Sequence, residues 1–454
     1  MKNDRDRSNF TSRIGFILSA AGSAVGLGNI WRFPYLAAQY GGGTFLLCYI
    51  ILAVTFGFSL MVAEIALGRK TGLSAIGAFS SLDKRFRFVG ILVALVPAII
   101  FPYYSVIGGW VVKYFFTFLT GGVHAAAEDT YFTSFISGVS EPILWFSIFA
   151  VITAVVVICG VEKGIEKVSK IMMPLLVVLT VCISLYVLTI DGAMDGVKYY
   201  ILPHMSDFSV KTVLSAMGQL FYSMSLAMGI MITYGSYMKK STNLESSVRQ
   251  IELFDTGIAF FAGLMIIPAV FAFSGGDPSA LNAGPGLMFI TLPKVFAGMK
   301  FGGILGTVFF ILVFFAAVTS AISLMETIVS ILMDLFHWSR RTTSILVFVY
   351  SVLMGIPSSL GFGIWDFIQP LGMSILDAWD FISNSILMPI VALLTCFFAG
   401  FVIKPQTVID EACAEGAVFK GKNLFTVIIK WVAPVILVAI LISSVLNALG
   451  IFVM

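Results

Sequence analysis

A 454-residue chain that is 59% hydrophobic and only 11% charged, with a mean hydropathy of +1.01, is not a soluble globular protein, whose charged share is about 25%. The formal net charge of +3 is too small to imply a nucleic-acid or acidic partner. The five cysteines (Cys48, Cys159, Cys182, Cys396 and Cys413) have no CxxC spacing, and His124, His204 and His337 stand alone, so free thiols and no structural metal site are expected.

Apolar runs long enough to cross about 30 Å of hydrocarbon recur along the whole chain. They predict an all-α integral membrane protein with eleven spans, at 14–38, 44–68, 88–119, 142–160, 168–190, 212–238, 247–274, 302–336, 342–359, 373–402 and 424–453. Arg32 within the first run and the lack of a small-residue cleavage site argue against a removed signal peptide. Alternate loops, with the N-terminus, carry roughly twenty of the 27 basic residues, which places that side in the cytoplasm and, with an odd span count, the C-terminus outside. The expected setting is a prokaryotic-type inner membrane. The loops at 120–141, 191–211 and 275–301 are then external, and the last, rich in Pro and Gly, is expected to fold back as short helices.

Taken in order, the first departure from an ordinary membrane helix is Ser19 to Tyr35, SAAGSAVGLGNIWRFPY. Gly22, Gly26 and Gly28 each cost about 1 kcal/mol of helix propensity, and Asn29, Arg32 and Pro34 follow at once. The segment predicts a half-unwound helix, and irregular backbone at membrane depth is tolerated where it lines a cavity or is buried in protein. The sixth span repeats the pattern at Gly218 to Gly229, where SLAMG (225–229) is weakly similar to SAVGLG (23–28). Five spans separate the two, so such a pair reads as an inverted-topology repeat around a central site. Close packing of small residues is the competing explanation.

The stretch GSAVGLGNIWRFPY with Gly41-Gly42-Gly43 resembles the signature of the neurotransmitter:sodium symporter family. In order along the chain follow Glu64 with Gly68-Arg69, Tyr103-Tyr104 with Trp110, Gln219 to Gly229, Phe314 to Ser320, and Asp377 to Phe381. The resemblance implies the leucine-transporter fold: two inverted five-helix repeats (spans 1–5 and 6–10), spans 1 and 6 unwound, plus span 11. The chain then divides into a cytoplasmic segment at 1–13, a transport core at 14–402, a cytoplasmic loop at 403–423 and the eleventh helix at 424–454.

The implied activity is sodium-coupled uptake of α-amino acids by alternating access, in a protein that is not an enzyme. An unwound helix offers dipole ends to a carboxylate and carbonyls to an ammonium. By position in the family motif, Leu27, Gly28 and Tyr104 hold the carboxylate, and Ala24, Tyr222, Ser223 and Ser225 the ammonium. The side-chain pocket is expected from Ile100, Tyr104, Tyr222, Met228, Ser320 and Leu324, an apolar lining that favours hydrophobic or aromatic amino acids. Gly26 stands where monoamine carriers of the family have an aspartate, which favours α-amino acids. Ala227, where glycine is expected, is read as adding a methyl group at the substrate.

Two sodium ions are implied as cofactors. The first site uses Ala24, Asn29, Ser223 and Asp255, and the second Gly22, Val25, Ala316, Thr319 and Ser320, hard oxygen ligands suited to such a cation. Asp255 replaces an expected asparagine and supplies a fixed negative charge, from which chloride independence follows, with proton uptake on the return step as an option. The outer gate is expected from Arg32 and Asp380 beside Gln219, and the inner gate from Arg7 and Asp334 supported by Tyr237. Glu64 is read as accepting amides freed by the sixth-span break, and Gly164 with Pro174 as loosening the cytoplasmic end of the fifth span. Phe10, in place of tryptophan, implies weaker N-terminal packing, and Gly57-Phe58-Ser59, in place of a glycine-x-proline turn, a straighter second span. The expected partners are the amino acid and the bilayer, with no nucleic acid. A channel or substrate-gated receptor is the alternative, but neither a TVGYG-like filter nor a charged ring is present.

Overall fold

The computed structural model describes residues 9–277, 281 and 284–448, and these are helical with no strand among them. Among the described residues, nine helices are long and apolar enough to cross a membrane, the longest being Lys84–Leu119 and Gly302–Phe336. A tenth span is made by Arg13–Ala24 and Gly28–Gln39, bent by 55° where they meet. The segment read as the sixth span is two short helices, Val210–Ser223 and Ile230–Ser236, neither of which reaches membrane length alone. Length and composition therefore give ten spans, and the eleventh depends on joining these two pieces.

Chain chemistry explains the long helices and their irregularities. The third span keeps Pro97 and Pro102 in its interior, where neighbouring helices can satisfy the carbonyls that proline leaves free. The third and eighth spans form the most extensive helix pair and stand at the centre of the bundle. Their contact is filled by Trp110, Tyr114 and Phe310, capped from outside by Phe289 of the 275–301 loop. That loop does return as helix, at Leu287–Thr291 and Leu292–Ala297. In the second span, Ala53–Gly57 forms a π-helical turn rather than a straightened segment. The extra residue of such a turn is a recurrent way to re-aim a helix near a functional site.

The end of the bundle around Phe10 is closed. Phe10 is buried and packs edge-on against Phe16, Tyr234 and Tyr237, so phenylalanine fills the space fully and the expected weak packing is absent. Glu166 accepts hydrogen bonds from the Thr11 amide (2.7 Å), the Thr11 hydroxyl (2.6 Å) and the Ser12 hydroxyl (3.1 Å). It is wound into a π-helical turn, Val161–Glu166, continuous with Lys167–Val187 through Pro174, so the Gly164 region is wound here and not loosened.

Candidate functional site

Both helix breaks meet at one point. The first helix ends at Ala24, where Val25 adopts extended backbone while its amide still bonds to Ala21. A π-helical turn, Gly28–Arg32, then starts the outer half, so the break spans only 25–27, shorter than the glycine cluster suggests. Asn29 closes it, its Oδ1 accepting the Gly26 amide at 3.1 Å. In the sixth span the break runs from Met224 to Gly229, with Ser225, Ala227 and Gly229 all at positive φ. Left-handed backbone costs a non-glycine residue roughly 1–2 kcal/mol. Among the bonds that hold it, Glu64 Oε1 accepts the Ala227 amide at 2.7 Å, the Ser225 hydroxyl donates to the Ser23 carbonyl at 2.9 Å, and the Ser23 hydroxyl donates to Ser225 Oγ at 3.1 Å.

Between the breaks lies a cavity with about 340 Å³ of empty space. All eleven residues expected to hold substrate line it: Ala24, Leu27 and Gly28 from the first span, Ile100 and Tyr104 from the third, Tyr222, Ser223, Ser225 and Met228 from the sixth, and Ser320 and Leu324 from the eighth. Ser23, Gly26, Asn29 and Ile230 complete the lining. The Tyr104 hydroxyl is buried with no hydrogen-bond partner, a group that an incoming acceptor would satisfy. A Cβ on Gly26 would sit 2.7 Å from Ser320 Oγ, so any side chain here requires the Ser320 hydroxyl to move. Ala227 is not part of the lining: the break turns it toward Glu64, and the expected narrowing of the pocket does not arise.

Beside the cavity, Asp255 is fully buried in the middle of Leu244–Ser274. Asn29 Nδ2 donates to Asp255 Oδ1 at 2.8 Å, Ser223 Oγ to the same oxygen at 2.7 Å, and Tyr49 to Oδ2 at 2.9 Å. Three of the four residues expected at the first cation site are thus joined directly, and Ala24 lines the adjoining cavity. Tyr49 escaped sequence reasoning because one aromatic in a uniformly apolar run carries no signal. The oxygen-rich donor set fits a hard monovalent cation.

Of the residues expected at the second cation site, Ser320 donates to the Gly22 carbonyl (3.4 Å) and the Ser23 carbonyl (3.1 Å). Thr319 adjoins Gly22, on which a Cβ would lie 3.2 Å from the Thr319 Cβ. Its hydroxyl bonds its own helix at Phe315 (2.9 Å) and Ala316 (3.2 Å), as Thr in a membrane helix commonly does. Val25 and Ala316 are buried on the two helices that carry these groups.

The outer gate differs from expectation. Arg32 and Asp380 form no direct ion pair. Arg32 lies over the Tyr222 ring, 5.3 Å from its centroid, while Asp380 accepts from Tyr103 (3.1 Å) and Asn384 (2.6 Å). Gln219 braces the first break, donating to the Gly28 carbonyl at 2.9 Å. On the inner side Asp334 accepts from the Ser74 amide (2.9 Å) and hydroxyl (2.5 Å), and Arg7 lies outside the described residues. Tyr237 donates to Glu326 (2.7 Å), which also receives the Arg340 guanidinium at 2.6 and 2.9 Å. Glu326 was not foreseen, because its partners lie on other helices.

Two broken helices around a polar-tipped apolar cavity, with a buried acid at its edge, are the architecture of a secondary transporter. Residues 7–134 and 130–451 match the model of the Sodium:neurotransmitter symporter family. The chain belongs to that family. This symporter is similar to the uncharacterized sodium-dependent transporter YhdH of Bacillus subtilis (strain 168), 36% identical over 411 residues, 88% of this chain and 89% of that protein. An uncharacterized sodium-dependent transporter of Haemophilus influenzae is 31% identical over 461 residues, covering 97% of this chain and 99% of that one. Its structure is similar to that of MhsT in complex with L-phenylalanine, with a TM-score of 0.87 and 37% identity over 96% of this chain and 100% of that chain. The symporter is accordingly an integral membrane protein of a family of sodium-dependent transporters, not of enzymes.

Proposed function

We propose that this symporter carries hydrophobic or aromatic α-amino acids into the cell with sodium, by alternating access around the cavity between the two helix breaks. The observation that carries the reading is that one cavity joins the outer start of the first-span break, at Leu27 and Gly28, to the unpartnered Tyr104 hydroxyl and the apolar Ile100, Met228 and Leu324. A carboxylate is served by Tyr104 and the free amides of a helix start, an ammonium by carbonyls at the breaks, and an apolar side chain by the remaining wall. The phenylalanine bound by MhsT is a cargo of this chemistry.

Sodium is cargo at two sites, Ala24, Asn29, Ser223 and Asp255 forming the first and Gly22, Val25, Ala316, Thr319 and Ser320 the second. Ser320 holds the Gly22 carbonyl of the second site, and its hydroxyl can rotate to release that carbonyl as a ligand. Asp255 supplies a negative charge while sodium is bound, so transport needs no chloride, and it is the group to take up a proton on the empty return.

The wider reading is a core of two inverted five-span repeats at 14–402, a latch at 1–13, a cytoplasmic loop at 403–423 and an eleventh span at 424–454. The N-terminus is cytoplasmic, the C-terminus external, and the membrane a prokaryotic inner one. Competition uptake tests the substrate class: leucine, phenylalanine, tyrosine, tryptophan and methionine are expected to compete for sodium-driven uptake. Failure of all five would overturn it.

A further inference from the structure

A second cavity, with about 310 Å³ of empty space, lies between the third, ninth and tenth spans, outside the transport site. Tyr350, Met354 and Ser358, four residues apart on Arg340–Leu360, form one helix face and one wall. Pro102 and Tyr103 form the opposite wall, and Trp379 one end. The cavity follows from proline chemistry: Pro102 cannot donate to the Ala98 carbonyl, and the Tyr350 hydroxyl donates to it instead at 2.9 Å. That bond draws Tyr350 across to the third span.

Four features define what the cavity takes. Its mouth faces the hydrocarbon, since Tyr350 and Met354 are each 37% exposed on a membrane-spanning helix. Its lining carries no formal charge. Deeper in, Ser358 is fully buried, and its hydroxyl has no hydrogen-bond partner. Buried polar groups are ordinarily paired, so an unpaired one on a cavity wall is complementary to one polar atom of a guest. A cavity this small excludes a two-chain lipid.

We propose that this cavity is a membrane-accessible regulatory site for a small, uncharged apolar molecule bearing one hydroxyl, and that its occupant acts on the outer gate. The link is Tyr103, whose ring is part of the wall and whose hydroxyl donates to Asp380 at 3.1 Å and meets Asn384 at 3.3 Å. Trp379 adjoins Asp380 in sequence. A guest wedged against Tyr103 and Trp379 favours the state in which Asp380 stays with Tyr103 and Asn384 rather than reaching Arg32. It therefore slows the cycle without competing for the transport cavity.

Binding and effect are separable, and only the effect rests on the proposed transport function. The probe is an eight-carbon alcohol carrying a diazirine, photolysed with the full-length protein in lipid nanodiscs and mapped by mass spectrometry. Saturable labelling within 98–103 and 350–358 is expected, displaced by excess 1-octanol. It should fall at least fivefold in Met354→Trp, which fills the mouth, and about threefold in Ser358→Ala. Octanol should lower the maximal uptake rate at unchanged half-saturating amino acid in the wild type and not in Met354→Trp. Labelling spread over all lipid-facing helices and indifferent to both variants would overturn the site. Saturable labelling with the same octanol response in wild type and Met354→Trp would overturn the coupling to the gate.

Discussion

The Ser223 hydroxyl donates to Asp255 Oδ1 at 2.7 Å, tying the last residue of the sixth span's first half-helix to a fully buried acid on the seventh. Asn29 reaches the same oxygen from the first span, so one carboxylate oxygen joins three helices at the edge of the cavity.

Replacing this acid tests its charge. Asp255→Asn keeps a carbonyl oxygen for Asn29 and Ser223 but removes the negative charge. Half-saturating sodium is expected to rise at least tenfold, equivalent to about 1.4 kcal/mol. Uptake is expected to be unaffected by gluconate in place of chloride in the wild type and to become chloride-dependent in the variant. Ion-replacement uptake checks this, and a wild-type collapse in gluconate would refute chloride independence.

Steric fit at Gly26 gives a second prediction. A Cβ there meets Ser320 Oγ at 2.7 Å, so Gly26→Ala is expected to raise the half-saturating amino-acid concentration at least tenfold. Removing the obstructing oxygen as well, in Gly26→Ala with Ser320→Ala, should recover part of the loss. A double-mutant cycle measured by binding reads the coupling, and strict additivity would show that the two positions do not meet.

The strained sixth-span break responds to changes on either side of the Glu64 bond. Glu64→Ala leaves the Ala227 amide unpaired and should cost about 1–3 kcal/mol, whereas Glu64→Gln keeps an acceptor and should cost less. Ala227→Gly relieves positive φ and should stabilise by about 1 kcal/mol. Thermal unfolding in detergent ranks the three variants, and destabilisation by Ala227→Gly would contradict the strain.

The closure around Thr11 and Ser12 depends on Glu166. Glu166→Ala removes three bonds to Thr11 and Ser12, and amide exchange at 9–24 is expected to accelerate at least tenfold. Lys170→Ala, which breaks only the half-exposed pair with Glu166, should change exchange little, because such pairs contribute about 0–1 kcal/mol. Equal effects would move the latch elsewhere.

What the sequence made legible was chemistry out of place. An acid in a membrane helix, as at Asp255 and Glu64, and glycines clustered in an apolar run are visible because each is costly unless explained. Contacts between distant, individually ordinary residues were not visible. Tyr49 in an apolar run, Glu326 with Tyr237, 89 residues away, and Glu166 in a basic loop become informative only when helices cross. Local backbone accommodation was also hidden: π-helical turns absorb Gly28 and Gly57, shortening one break and leaving the second span bulged where a straight helix was expected.

The most direct test of the account is uptake of radiolabelled phenylalanine or leucine by the purified protein in sealed liposomes, with an inward sodium gradient and no chloride. Sodium-coupled symport predicts accumulation of unmodified amino acid above its external concentration, abolished when the gradient is collapsed and strongly reduced in Asp255→Ala. Equilibration without accumulation, or accumulation indifferent to sodium, would contradict it.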